Sequence, residues 1–426
     1  MLWTVLNNHI QEFAVANGNL KKVCHPKLAL VKYIHISITS STKSHNGLNS
    51  VQGVMQLTRV AVLKVEDYRE ESVKAAVRRG FMLLGLGEDF FREKQVLLKP
   101  NFLAPSPVER AVCSHPVVIG ETASLILEMG GVVKVGDSPG LGSVFKVASS
   151  CGVDRVLENL QVPLVSFEDP VDVKYPEGRL CLSFPLARQV VEAEILVSVA
   201  RLKTHNLTRY TGAVKNLYGC IPGKEKAALH LRYNQIENFS RMLVDLLGLV
   251  KPALSIVDGI VSMEGPGPRV GNPRKTGFMV MSEDAVAADA VACSLVGIDP
   301  EQVLHLKCAG EMGYGIHLVN QLDLVGDSPS EIKVKGFKQA SGSIMSTGFI
   351  HPFVTGILRK CFVPSLEIIP EKCRGCRVCA DRCPAEVISM GGKAYINQEG
   401  CIRCYCCQEL CPHDAVKLKR RFWFIK

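Results

Sequence analysis

Between Cys373 and Cys411 the chain runs twice through the pattern C-x2-C-x2-C-x3-C-P. The first copy is Cys373, Cys376, Cys379, Cys383 and Pro384; the second, 28 residues further on, is Cys401, Cys404, Cys407, Cys411 and Pro412. Two-residue gaps keep three thiols on one tight loop, where they can converge on three irons of a cubane. The proline beside the fourth cysteine turns the chain without needing a backbone donor. Zinc knots use paired C-x2-C knuckles or mixed Cys/His sets, not triads each closed by Cys-Pro. Seven further cysteines are scattered before residue 350, Cys361 stands alone and Cys406 lies within the second repeat, making 17 in all. In a chain that opens with MLWTVLNNHIQEF, without a basic segment followed by an apolar one, this number points to metal or redox chemistry and not to disulfides. Cys406 sits beside Cys407 with no slot in the repeat and reads as a spare thiol.

Over roughly residues 365–420 this segment resembles the bacterial two-cluster ferredoxins. The resemblance implies a small α+β domain holding two [4Fe–4S] clusters with crossed ligation. Cys373, Cys376, Cys379 and Cys411 would bind one cluster; Cys401, Cys404, Cys407 and Cys383 would bind the other. Arg374, Arg377, Arg382 and Arg403 interleave with these cysteines and favour the reduced, more negative state. One-electron transfer and a redox partner protein follow as expectations.

The remaining composition limits the alternatives. With 426 residues, 47% hydrophobic and 21% charged, the chain suits two or three folded domains. A net charge of +9 with only 6% aromatics lacks the basic, aromatic-studded stripe of a nucleic-acid binder. The tail from Lys417 to Phe424 is basic and aromatic, but a solvated strand end accounts for it. No stretch reaches the ~18 uninterrupted apolar residues of a membrane span; 344–369, the nearest, is broken by His351, Arg359, Lys360 and Glu367. The expected location is the cytoplasm.

Residues 1–54 show no sustained apolar period and read as a flexible leader or an upstream extension ahead of a start at Met55. Residues 55–340 alternate strand-like runs (59–65, 96–99, 132–135, 195–200, 254–257, 277–281) with helical ones (69–86, 117–129, 236–247, 284–296, 300–312). The fold class is therefore α/β: a sheet domain with helices on its faces, then a linker over 341–364, then the small two-cluster domain over 365–426.

Polar motifs follow several of these strands, where open α/β sheets place ligands. They are Lys99-Pro100-Asn101; Gly136-Asp137-Ser138-Pro139-Gly140; Arg201-Leu202-Lys203-Thr204-His205 continuing to Tyr210–Asn216; and Asp258-Gly259-Ile260 running into Met263–Pro268. Together with Ser114-His115-Pro116, this ordered series resembles the bacterial and archaeal proteins grouped as domain of unknown function 362, over roughly residues 60–330. Members of that family often carry a C-terminal two-cluster module, and the resemblance implies iron–sulfur redox chemistry without naming a substrate. Ala200-Arg201 departs from the proline and lysine the family tends to place before its LKTH.

Gly219–Glu225 is one residue short of a P-loop and has Glu where Ser or Thr should hold magnesium; Gly265–Gly271 has the wrong spacing for a dinucleotide fingerprint. No G-x-S-x-G elbow or H-E-x-x-H helix is present. Lys203, His205, Lys215 and Lys224 concentrate positive charge beside Thr204, Thr211 and Asn216. That composition suits a small anionic substrate, with Lys203, His205 and Lys215 as candidate catalytic groups and His205 moving the proton. Asp137, Asp258 and Glu264 arrive from neighbouring strand ends and could hold a metal or a hydroxyl; Asp284 reads as a helix cap and Asp289 as a further site candidate. Three roles remain open: an iron–sulfur oxidoreductase acting on that substrate, a ferredoxin-type carrier whose α/β domain docks a partner protein, and a maturation factor or sensor.

Overall fold

The computed structural model describes residues 57–340 and 364–419, without the Lys224 side chain. The expected leader over 1–54, the linker up to residue 363 with Cys361, and the tail beyond Lys419 lie outside the described residues.

The α/β domain is built on strands β1 (Arg59–Lys64), β2 (Gln95–Pro100), β3 (Val132–Asp137), β4 (Leu164–Ser166), β5 (Pro170–Lys174), β6 (Ser183–Ala187), β7 (Ile195–His205), β8 (Arg209–Thr211), β9 (Leu254–Glu264), β10 (Asn272–Ser282) and β11 (Asp323–Gly326). Apart from the separate β5–β6 hairpin they form one sheet, in the order β11-β1-β10-β9-β7-β2-β3-β4, with β8 paired to β7. The run β9-β7-β2-β3-β4 is parallel, and β10 is antiparallel to both β9 and β1.

Alternation along the strands feeds two cores, one on each face. In β1, Val60 and Val62 join one core while Ala61 and Leu63 join the other; in β10, Phe278 and Val280 oppose Met279 and Met281. Helices Glu70–Leu84, Pro116–Glu128 and Val144–Cys151 cover the face of Leu63 and Met281. Helices Ile236–Val250, Ala285–Leu295 and Leu304–Met312 cover the other. As expected, Asp284 caps the helix Ala285–Leu295, accepting from Val286 N and Ala287 N at 2.8 and 3.1 Å.

After β2 the chain crosses through the helix Pro116–Glu128 to β3. It then returns to place β7 on the other side of β2 and crosses through helices on the opposite face to β9. The strand order reverses between β2 and β7, which is where open sheets leave a crevice beyond their carboxyl ends.

The cysteine-rich domain has strands β12 (Ser365–Ile368), β13 (Ile388–Gly391), β14 (Lys393–Ile396) and β15 (Val416–Lys419), paired β12–β15 and β13–β14, with short helices Val378–Asp381 and Cys406–Leu410. Its small core includes Leu366, Ile388, Ile396 and Val416 along with the cysteines, and Leu207 of the α/β domain packs against it.

Candidate functional site

The motifs read as loops after strands lie largely inside them. Lys203-Thr204-His205 closes β7, and Asp258–Glu264 lies wholly within β9. The chain stays extended past the body of the sheet because β8 supplies an antiparallel partner, with Lys203 opposite Thr211 and His205 opposite Arg209. Every residue of β7 is buried, so its polar side chains must find partners within the protein.

Most do. Lys99, fully buried at the end of β2, donates to Asp137 Oδ1 at 2.7 Å and to Asn216 Oδ1 at 3.3 Å. Asp137 also accepts from Phe102 N at 2.7 Å and Ser138 N at 2.8 Å. A Cβ at Gly219 would overlap the Asp137 carboxylate and the Lys99 stem, so this position requires glycine. Lys203 donates to Asn101 Oδ1 at 2.5 Å and Val112 O at 2.7 Å. Asp289 accepts from Ala213 N, Val214 N and the Tyr210 hydroxyl at 2.6, 2.9 and 2.9 Å, fixing the short helix Ala213–Asn216 that carries Lys215.

The three carboxylates expected to converge do not. Asp258 pairs with Arg201 at 3.0 Å and accepts the Tyr68 hydroxyl at 2.8 Å, while Glu264 pairs with Arg274 at 3.0 Å and accepts Lys338 N at 2.9 Å. Only Asp137 of the three borders the cavity described next.

At the β2–β7 crevice lies a cavity of about 130 Å³. That is close to the ~150 Å³ that accommodates a benzene-sized molecule. Lys203, His205, Thr211, Lys215 and Lys226 line it from the α/β domain; Arg382, Cys406, Glu409 and Leu410 line it from the cysteine-rich domain. The two sides are fastened by Asn206 Nδ2 to Gln408 Oε1 at 2.9 Å, by Arg269 to Asp414 at 2.9 Å, and by Arg269 to the Cys411 carbonyl.

The charge at the cavity is mainly positive and mostly desolvated. Burial pulls Lys203 down to about 7, and Lys226, which donates to the Ser138 carbonyl, also to about 7. Burial lowers Lys215 as well, and this amine has no hydrogen bond or ion pair among the described residues. His205 Nδ1 accepts from Leu207 N at 3.0 Å and Thr208 N at 3.3 Å, which puts the ring proton on Nε2. Burial, reinforced by Lys215, holds this histidine well below its usual value and hence neutral. Nε2 lies 3.2 Å from Glu409 Oε1 but is not aligned for a hydrogen bond. His205 Nε2, Thr211 Oγ1 and Glu409 Oε1 are therefore three buried polar atoms at one cavity, all without a hydrogen-bond partner.

Thr211, named in the sequence beside the lysines, does line the cavity; Lys226 and Glu409 escape a reading of the sequence, although a glutamate inside the second cysteine repeat with no part in the pattern is a usable signal. Cys406, read as a spare thiol, is a buried wall of the cavity. The Lys224 side chain lies outside the described residues.

The cysteines of the repeat surround two smaller cavities. Cys373, Cys376, Cys379 and Cys411 border one; Cys383, Cys401, Cys404 and Cys407 border the other. Gly375, Arg377, Arg403 and Tyr405 adopt left-handed backbone conformations that curl the loops round them. Ala394 N points at Cys373 Sγ at 3.5 Å and Ala415 N at Cys411 Sγ at 3.2 Å, as amides do toward thiolates that carry negative charge. Four thiols about each cavity, with apolar side chains behind them, fit one cubane apiece.

Residues 96–294 match the family described as a domain of unknown function (DUF362), and residues 365–415 match a 4Fe-4S dicluster domain. The thylakoid-associated protein sll1697 of Synechocystis sp. is 33% identical over 257 residues, 60% of this chain and 79% of that protein. Among solved structures, the lactate racemase apoprotein from Thermoanaerobacterium thermosaccharolyticum is 14% identical with a TM-score of 0.34, over 55% of this chain and 58% of its own. A protein from Thermotoga maritima is 14% identical with a TM-score of 0.35, over 55% of this chain and 60% of its own. Among the described residues no helix is long and apolar enough to cross a membrane. With the ordered strand-end motifs, the double cysteine repeat and these matches in hand, the chain belongs to the domain of unknown function 362 family and ends in a ferredoxin-type domain that carries two [4Fe–4S] clusters.

Proposed function

We propose that the protein is an iron–sulfur oxidoreductase that exchanges electrons with a small anionic substrate bound at the β2–β7 crevice. The observation that carries this reading is the cavity with three unpartnered buried polar atoms, walled on one side by the cluster domain. Leaving such atoms unpaired costs roughly 1–3 kcal/mol each, a cost that a bound ligand removes. Cys373, Cys376, Cys379 and Cys411 hold one cluster, and Cys401, Cys404, Cys407 and Cys383 the other. When bound, the clusters supply or accept single electrons.

The residues of the chain do the rest. Lys215 meets the anionic group, with Lys203 and Lys226 adding charge when protonated. Thr211 donates its hydroxyl. Neutral His205 donates a hydrogen bond from Nε2 to the substrate, and Glu409, whose carboxyl burial pushes up, is the group that gives or takes the proton. Leu410 and Cys406 exclude water and bring the substrate against the loop that holds Cys407. A carrier that merely docks a partner has no use for a half-buried, unpaired lysine facing an internal cavity. We place the protein in the cytoplasm, where its free thiols stay reduced.

The test titrates anaerobic, cluster-loaded protein with acetate, pyruvate, oxalate and inorganic phosphate, following heat and the electron paramagnetic resonance of the reduced clusters. At least one should bind and perturb the spectrum. The Lys203→Ala, His205→Ala double variant and the single Lys215→Ala variant should keep both clusters and lose that binding. Unchanged binding in both would place the site elsewhere.

A further inference from the structure

We propose that electrons pass between this protein and an acidic one-electron carrier protein docked over the first cluster site, at Cys376, while the second cluster site serves the substrate cavity. Docking over the first cluster site needs that cluster but not the substrate cavity, so it can fail independently of the function proposed above; the role given to the second site rests on that function.

The two cluster cavities have different surroundings. Cys376 is the one exposed cysteine among those described. Arg374, Arg377 and His413, all exposed, line the cavity it borders, and no acidic residue does. Lys393, also exposed, sits one residue before Ala394, whose amide points at Cys373. Asp381 lies 3.6 Å from Arg377 with both side chains exposed, a geometry that screens little, and Asp414, beside His413, is taken up by Arg269. The second cavity is lined, besides its cysteines, by Leu366, Pro384, Val387, Ile388, Ile396 and other apolar residues, with no charged side chain. Its cysteines Cys404 and Cys407 flank Cys406, which is buried in the wall of the substrate cavity.

Electron exchange between proteins requires that a cluster edge be reachable and that the encounter be oriented. Cys376 provides the first. The basic rim provides the second, by attracting a partner of opposite sign and raising the association rate. The step balances simply: the reduced carrier loses one electron, the chain's first cluster gains it, and no bond or proton moves.

The experiment mixes anaerobic, oxidised, cluster-loaded protein with a photoreduced plant-type ferredoxin of strong negative charge, following cluster bleaching by stopped flow. Binding of the oxidised ferredoxin is measured in parallel by calorimetry. The second-order rate should fall about 10-fold or more as ionic strength rises from about 20 to about 300 mM. The Arg374→Glu, Arg377→Glu double variant should lower both rate and affinity about 10-fold at low salt. Reversing two charges on β15, Lys417→Glu with Lys419→Glu, should change them less than about 2-fold. Reduction by the methyl viologen radical cation should be undiminished in every variant, showing that the clusters are intact. If the double variant loses iron, the neutral Arg374→Gln and Arg377→Gln variants, with the salt dependence of the unaltered protein, decide the matter. A rate that ignores or rises with salt, or equal losses from the two double reversals, overturns the proposal.

Discussion

The cluster domain draws its eight repeat thiols from one short stretch, Cys373–Cys411, and each triad is assembled by a single loop. The cavity at the β2–β7 crevice draws on side chains from Lys99 to Leu410, brought together by strands, several helices and the contact between domains. The first arrangement is local, and its failure should be local too. The second includes a network in which buried groups satisfy one another, as Lys99 does with Asp137 and Asn216 and Lys203 with Asn101, so removing one leaves its partners uncompensated.

Ligand removal should have the largest effect. Cys411→Ala should cost the cluster of the first triad and Cys383→Ala that of the second, each halving ~8 Fe to ~4 while leaving the other cluster's spectrum in place. Iron analysis with electron paramagnetic resonance checks this. If each substitution removes the cluster of its own triad, the crossed ligation is wrong.

Next is the buried pair. Asp137→Ala strands the Lys99 ammonium and two backbone amides at zero to slight exposure. We expect a loss of about 3–5 kcal/mol, read from the denaturation midpoint of the α/β domain. A loss near zero would mean that water reaches Lys99 freely and that the network is loose.

A smaller effect is the dependence of stability on pH. Lys203 and Lys226 sit at about 7 in the folded protein and at ~10.4 when unfolded. Below pH 7 both states are protonated and burial of the charge counts fully against folding. Between pH 7 and ~10 the folded lysines release protons that the unfolded chain keeps, so their contribution to stability rises with pH. The melting temperature of the unaltered protein minus that of Lys203→Met should therefore rise steadily from pH 7 to pH 9. A difference independent of pH would mean that Lys203 stays charged throughout.

The smallest structural effect belongs to Thr211→Val. The hydroxyl has no partner, so its loss should change stability by less than ~0.5 kcal/mol, or increase it. Binding of an anion that accepts this hydroxyl should nonetheless weaken several-fold. A strongly destabilised variant would show that Thr211 serves the fold and not a ligand.

This contrast also explains how much could be read without the structure. The cluster domain is written in spacing, and the strands are written in alternation, as at β1 and β10, where odd and even residues enter different cores. Lys203, His205 and Lys215 could be picked out because they lie close together in the chain and do line one cavity. Lys99 with Asp137, 38 positions apart, could not be paired, since nothing in either segment reveals that β2 and β3 are neighbours. Lys203-Thr204-His205 looked like a loop because polar residues seldom fill a strand. Here they do, because β8 pairs with them and each side chain but one tip is bonded inside. Glu409 was hidden in the opposite way, inside a motif whose cysteines already accounted for the segment.

The helix Cys406–Leu410 lies between two cysteines of the second repeat, Cys404 and Cys411, and at the same time closes the cavity. The same five residues thus serve two neighbours: Cys407 stands among the cluster thiols, while Cys406, Glu409 and Leu410 stand at the cavity. On the function proposed above, any shift of this turn on cluster loading would reach the cavity wall directly, through one turn of helix and no intervening residue.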